Sequence, residues 1–227
     1  MVGRFRLRNA YLVFIVLNIS VYLLQFLLGD GFTSSFMLVP EQVLARPWTL
    51  LSSMFLHSPV SPMHLLFNTY ALLIFGGLVE QRIGTKRFIG AYLVSGLFAG
   101  ILYSVFSTTP ALGASGAIMG LLGLAIMLLP DLKVLFFFVI PMSLRTAGII
   151  FAAIDIFGLF NPHSGIAHLA HLGGLFIGLV YGYFLIRQRK NFSRKFTRPS
   201  KRRSLKNKDT VELDDEDIEE YLRKGRL

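Results

Sequence analysis

The chain has 227 residues, of which 53% are hydrophobic and only 16% charged, and its mean hydropathy is +0.58. That balance excludes a soluble domain and leaves length for several membrane spans. The absence of cysteine excludes disulfides, thiolate metal sites and cysteine nucleophiles. The formal charge of +10 invites a nucleic-acid reading until its position is considered: from Arg187 onward there are 14 Lys/Arg against 8 Asp/Glu, so the excess is mostly a tail, and its few aromatic residues, Phe192, Phe196 and Tyr221, do not form the regular aromatic interleaving that would support an RNA contact. No nucleic-acid partner is expected.

The first apolar run, Tyr11 to Leu28, follows Arg4, Arg6 and Arg8 and is long enough to cross a ~30 Å hydrocarbon core at 1.5 Å per residue. It is long for a signal-peptide core and no small-residue cleavage site follows it, so it reads as a retained span with the N-terminus in the cytoplasm. Gly29 to Pro62, broken by Pro40, Pro47 and Pro59, is too polar to span and reads as an external loop with short interfacial helices. A second span from Met63 to Val79 ends in Glu80 to Arg87, whose basic residues suit a cytoplasmic turn. A third, Phe88 to Phe106, returns outside, and the short loop Ser107 to Ala114 leads into a fourth, Ser115 to Leu129.

A single helix running on from Leu132 would strand Arg145 in mid-membrane, at a cost of several kcal/mol. Val134 to Ile140 is therefore placed at the cytoplasmic interface, with the fifth span starting near Met142, ending near Leu159 and letting Arg145 snorkel inward. The sixth span is Ile166 to Ile186. The fold expected is an all-α polytopic bundle of six transmembrane helices with both termini cytoplasmic. It divides into a membrane domain over residues 1–186 and a basic-then-acidic tail over 187–227, read as disordered. The tail's juxtamembrane cations would be attracted to anionic lipid headgroups.

This topology brings polar residues to one depth. Spans two, four and six all descend from the outside, and they open with His64 and Asn68, with Ser115, and with His168 and His171. His64 and Asn68 are four apart and share a helix face. Gly116 and Gly120 on span four, and Gly174, Gly178 and Gly182 on span six, are small-residue stripes that let helix backbones approach closely. If the two stripes meet, Ser115 lies beside His171, the minimum for a base-activated serine nucleophile. His64, Asn68 and the Ser115 N–H would then supply oxyanion donors. Asp155 lies toward the outer part of span five and Glu80 at the inner end of span two, so no carboxylate recommends itself as a third member and a Ser-His dyad is the more economical arrangement.

Each residue also has a plainer reading. A serine at a membrane helix start is commonly a packing or capping residue, and an intramembrane histidine a structural one. All five histidines, His57, His64, His163, His168 and His171, fall on the outer side, which leaves a metal or proton transporter as a rival. The lack of an HExxH motif and of a carboxylate paired with the histidines speaks against a metal site, and none is expected. No cofactor is called for.

Three motifs together carry a family resemblance: Gly113-Ala114-Ser115-Gly116, His64-Leu65-Leu66-Phe67-Asn68, and Ala170-His171-Leu172-Gly173-Gly174 continuing to Gly178. Their order and spacing resemble those of rhomboid intramembrane serine proteases across all six spans. The resemblance implies Ser115 as nucleophile and His171 as general base and acid, and it selects His171 over His168. It also implies His64 and Asn68 as oxyanion contributors, Gly113, Gly116, Gly120, Gly174 and Gly178 as close-packing positions, and span five with Phe151, Phe157 and Phe160 as a lateral gate. Its partners would be transmembrane-helix substrates, cut near the outer face, in a membrane that the compact six-span plan suggests is a prokaryotic plasma membrane. A non-proteolytic, client-binding rhomboid-like protein is the alternative. Two positions depart from the pattern: Trp48 is followed by Thr49 where the family carries an arginine, and Met119 stands where an aromatic residue often packs on the catalytic histidine.

Overall fold

The computed structural model describes residues 9–136, 139–161 and 164–197, together with Glu219 and Arg223. Its long helices are α1 (Ala10–Leu28), α6 (Thr85–Phe106) and α9 (His168–Thr197); the short α2 (Asp30–Phe36) and α3 (Thr49–Ser52) lie in the connection after α1, and α4 (Pro62–Ala71) and α5 (Gly77–Ile83) are joined end to end through a π-helical turn, Leu72–Gly76. Four segments are long and apolar enough to cross a membrane: Ala10–Leu28, Pro62–Ile83, Thr85–Phe106 and His168–Asn191. Large apolar side chains such as Val16, Leu23 and Phe26 on α1 or Val105 and Phe106 on α6 face outward, as a lipid-facing surface requires. The N-terminal arginines and His163 lie outside the described residues, as do residues 198–227 of the tail apart from Glu219 and Arg223.

The fourth and fifth expected spans are shorter helices. α7 (Ser115–Leu128) has 14 residues and α8 (Leu144–Gly158) has 15, so each is roughly 21–23 Å long, less than the ~30 Å of a hydrocarbon core. α7 is the centre of the molecule: every residue from Gly116 to Ala125 is buried. A helix apolar on all sides and enclosed on all sides is what an amino-acid stretch with no polar face predicts.

Close approach explains the position of α9 against α7. A Cβ added to Gly174 would overlap the Gly116 carbonyl oxygen, and one added to Gly178 would overlap that of Gly120. The same glycines of α7 also meet α6, where a Cβ on Gly120 would overlap Ser95. Glycine in these rows replaces side-chain packing with backbone contact.

Two findings depart from the expected layout. The stretch assigned to the cytoplasmic interface forms an antiparallel pair, β1 (Lys133–Phe136) with β2 (Ile140–Ser143), in the register Lys133↔Ser143 to Phe136↔Ile140. The apolar, β-branched and aromatic residues of β1 suit a strand, and Pro141 prevents the helix from starting early. The pair stands against span two, with the Tyr70 hydroxyl donating to the Leu135 carbonyl at 2.8 Å and the Phe136 ring 6.3 Å from Phe75. α8 then begins at Leu144 because Ser143 caps it, its Oγ accepting the Thr146 N–H at 3.1 Å. Arg145 is exposed and finds Asp131 at 3.5 Å. The helix of span six, in turn, continues past Ile186 to Thr197.

Glu80, in α5 at the C-terminal end of span two, organises the start of α1. Its carboxylate accepts the N–H groups of Asn9, Ala10 and Tyr11 at 3.1, 2.9 and 3.0 Å and the Thr85 hydroxyl at 2.7 Å. Asn9 offers no side-chain cap of its own, so a carboxylate 70 residues away satisfies the helix's unpaired donors. At the other end of α1, Gln25 grips the loop that leads to α4 through both backbone groups of His57: Oε1 accepts the His57 N–H at 3.0 Å and Nε2 donates to the His57 carbonyl at 2.9 Å.

Candidate active site

Ser115 is the first residue of α7, preceded by Ala114, which has no side-chain cap. The first-turn N–H groups, that of Ser115 among them, thus have no helix carbonyl to bind and point out of the helix end. The approach to this end is fixed from outside. Leu38 and Ala111 exchange backbone hydrogen bonds at 2.9 and 2.8 Å, and the Gly113 N–H donates to the Ser53 carbonyl at 2.9 Å. The loop after α1 and the loop before α7 are therefore sewn together just ahead of the serine.

The Ser115 hydroxyl lies 2.7 Å from His171 Nε2, and His171 is in the first turn of α9. The glycine contacts between α7 and α9 lie directly below this pair, so the helix separation they allow is what puts a short serine side chain within reach of an imidazole. His171 Nδ1 in turn lies 2.9 Å from the Asp155 carboxylate, and the same oxygen, Oδ1, lies 2.7 Å from His168 Nδ1. His168 Nε2 completes the chain at 3.1 Å from the Ser164 hydroxyl. Asp155 and His168 are buried, whereas His171 is partly open.

His64 approaches from span two. Its Nδ1 accepts the Ser58 N–H at 3.4 Å, so the proton sits on Nε2 and that nitrogen is a donor. Nε2 faces Gly113: a Cβ added there would lie 2.7 Å from His64 Nε2 and 3.8 Å from Ser115 Oγ. Gly113 has φ +128°, a conformation that side chains disfavour, and the space left by its missing Cβ is the one shared by the serine and the His64 donor. Gly113 thus serves the site from the loop ahead of the helix, unlike Gly116, Gly120, Gly174 and Gly178, which line the α7–α9 contact. Asn68 is buried and donates from Nδ2 to the His64 carbonyl at 2.8 Å, one turn back on its own helix.

His57 stands behind His64, the ring centroids 5.2 Å apart and edge to face. Burial in the loop, followed by the proximity of His64, pushes the His57 imidazole down to about 4, so it is neutral at ordinary pH. Met119 is buried in the core one turn below Ser115. Trp48 is half exposed and donates to the Ser35 carbonyl at 3.4 Å, while Thr49 turns back onto the Arg46 carbonyl. Of the three phenylalanines expected to form a seam, Phe157 and Phe160 point outward, but Phe151 packs on Phe136 of β1 with centroids 5.9 Å apart.

Asp155 is the residue that reasoning from sequence set aside. The signal was present: it is the one acidic residue in the apolar stretch Leu144–Gly158, and an ionisable group inside a membrane helix marks function or a dedicated partner. Asp155, His168 and His171 also have donor atoms that all lie within 4.8 Å of one another, the composition of a metal site. The Nδ1–Oδ1 separations of 2.7 and 2.9 Å are those of N–H···O bonds, however, and are shorter than the ~3.3 Å between ligand atoms around a tetrahedral zinc with 2.0–2.1 Å bonds.

What the site can do chemically is transfer an acyl group. A hydroxyl faces a ring nitrogen, that ring's other nitrogen is engaged by an acceptor, and N–H donors border the same space. Comparison with known proteins agrees in kind. A rhomboid domain model matches residues 44–188. The chain is 40% identical to the rhomboid protease GluP of Bacillus subtilis over 134 residues, covering 58% of this chain and 24% of that protein. It is 31% identical to the rhomboid protease GlpG of Yersinia enterocolitica over 174 residues, 74% of this chain and 60% of the relative. With rhomboid protein 1, mitochondrial, of Saccharomyces cerevisiae it shares 29% identity over 188 residues, 78% of this chain and 54% of the relative. The chain therefore spans between a quarter and three fifths of the length of these relatives. With the domain match extending over more than half of its residues, the chain is an integral membrane protein that belongs to the rhomboid family.

Proposed function

We propose that this protein is an intramembrane serine endopeptidase that cuts transmembrane-helix substrates near the outer membrane face, with Ser115 as nucleophile and His171 as general base and acid. The observation that carries the reading is the 2.7 Å approach of Ser115 Oγ to His171 Nε2 across two different helices. The relatives named as proteases support it, and the Ser115–His171 pairing favours it over a client-binding protein that performs no chemistry.

In the proposed reaction Ser115 Oγ bonds to the scissile carbonyl carbon as its proton passes to His171 Nε2. The carbonyl π pair moves onto oxygen, which the Ser115 N–H, His64 Nε2–H and Asn68 would receive. His171 then returns the proton to the leaving amide nitrogen, and water repeats the sequence on the acyl-enzyme. The shortness of α7 supports the depth assigned to the site: a ~21 Å helix that reaches the inner boundary starts well below the outer one. A substrate helix hides its carbonyls, so it must unwind locally, which favours small or helix-weakening residues at the cut.

Six spans, with α7 and α8 as the short ones and both termini cytoplasmic, complete the proposal. Phe157 in the last turn of α8 and Phe160 just after it, both exposed, suit a lateral entrance for the substrate. Arg187 and Lys190, exposed where α9 leaves its apolar stretch, suit anionic headgroups, and a prokaryotic plasma membrane is the proposed location. Labelling of the purified protein by a fluorophosphonate probe tests the nucleophile. Labelling is expected in the wild type and lost in Ser115→Ala and His171→Ala; a label that persists in Ser115→Ala refutes it.

A further inference from the structure

The hydrogen-bonded chain at the site continues beyond His171, and its outer half has no role in the reaction as just proposed. Asp155 is 3% exposed, yet among the described residues it is paired with no lysine or arginine; two imidazoles from one helix converge on a single oxygen of its carboxylate. A buried carboxylate is costly unless its lone pairs are filled, so this convergence is what allows an acidic side chain to remain on α8.

We propose that Asp155 is a positioning residue for His171 and that His168 holds Asp155 in place, so that the reacting pair is one end of a relay Ser115–His171–Asp155–His168–Ser164. The proposal rests on the serine-protease reading and deepens it. A carboxylate only accepts hydrogen bonds, so at 2.9 Å it fixes the His171 proton on Nδ1 and leaves the Nε2 lone pair facing Ser115. The opposite tautomer would present an N–H to the serine and accept nothing. When the Ser115 proton reaches Nε2, the imidazolium forms directly against the carboxylate, which stabilises it without itself taking the proton.

His168 does for Asp155 what Asp155 does for His171. Its Nδ1–H donates to the shared oxygen at 2.7 Å, and its Nε2 accepts the Ser164 hydroxyl at 3.1 Å, so both ring nitrogens are used. α8 is shaped for this ring: a Cβ on Gly158 would overlap three atoms of the His168 imidazole. An aspartate, a glycine three residues later and two histidines three apart on the next helix thus form one unit. The relay also ends outside, at Ser164 in the connection between α8 and α9.

The test uses the full chain in lipid nanodiscs, with two readouts. The first is the rate constant for fluorophosphonate labelling of Ser115. Asp155→Asn, of the same shape, should lower it by about 10²–10⁴-fold. His168→Phe should lower it less, and His168→Gln, which restores an N–H donor, should recover most of the loss. The second is the ¹⁵N spectrum of the histidine side chains, which should show His171 protonated at Nδ1 in the wild type and at Nε2 in Asp155→Ala. An Asp155→Asn protein that labels at the wild-type rate overturns the proposal. So does a wild-type His171 protonated at Nε2, a result that needs no variant to fold. Absence of Ser115 labelling in the wild type would instead refute the protease reading, and the tautomer measurement would still decide whether Asp155 orients His171.

Discussion

Gly174 lies against Gly116 so closely that a methyl group on the first would overlap the second's carbonyl oxygen. Gly174→Ala must therefore push α9 away from α7 and carry His171 off Ser115. We expect a loss of about 1–3 kcal/mol of stability, read from thermal unfolding in detergent, and loss of Ser115 labelling even at temperatures where the variant is folded. Gly90→Ala on α6, where a Cβ meets nothing within 4 Å, is the control and should be neutral or slightly stabilising. Equal behaviour of the two variants would contradict the packing account.

His57 makes folding depend on pH. Its imidazole is held down to about 4 in the folded protein, while an unfolded chain would take up that proton near 6.5. The stability it contributes is present above pH 6.5 and is lost as pH falls toward 4, up to about 3 kcal/mol. Chemical unfolding between pH 4 and 7.5 should show this slope, and His57→Phe should flatten it. An unchanged slope in the variant would place the titration elsewhere.

Glu80 is expected to matter for stability rather than for chemistry. Glu80→Ala leaves three N–H groups of Asn9, Ala10 and Tyr11 without their acceptor and should cost about 2–3 kcal/mol, with Glu80→Gln intermediate. The folded fraction should label at the wild-type rate. A labelling defect without a stability change would mean that Glu80 acts on the site.

Much of this arrangement was legible in the sequence because membrane burial makes each polar residue conspicuous. Ser115, His64, Asn68 and the two histidines of α9 stood out at one depth from span direction alone, and the spacing of Gly174 and Gly178 pointed to the helix pair. What was not legible depends on side-chain reach and on contacts between distant segments. Asp155 was judged by its depth, but its engagement depends on α8 ending beside the first turn of α9, with Gly158 open to a ring. Glu80 read as part of a charged turn because nothing local shows that the start of α1 lies against it. The β1–β2 pair was hidden because a short apolar run with a proline has no helical or strand period to reveal it.

The absence of cysteine makes the topology directly measurable. Val60→Cys, almost fully exposed in the loop before α4, should react with a membrane-impermeant maleimide on intact cells. Lys86→Cys, in the first turn of α6, should react only after permeabilisation. The reverse pattern would invert the proposed orientation and move the site to the inner face.

The most direct measurement is cleavage of a purified single-span substrate by the protein reconstituted in liposomes, with the cut located by mass spectrometry. The account predicts a product cut in the outer part of the substrate's transmembrane segment, formed by the wild type and by neither Ser115→Ala nor His171→Ala. Undiminished product from the Ser115→Ala protein would contradict it.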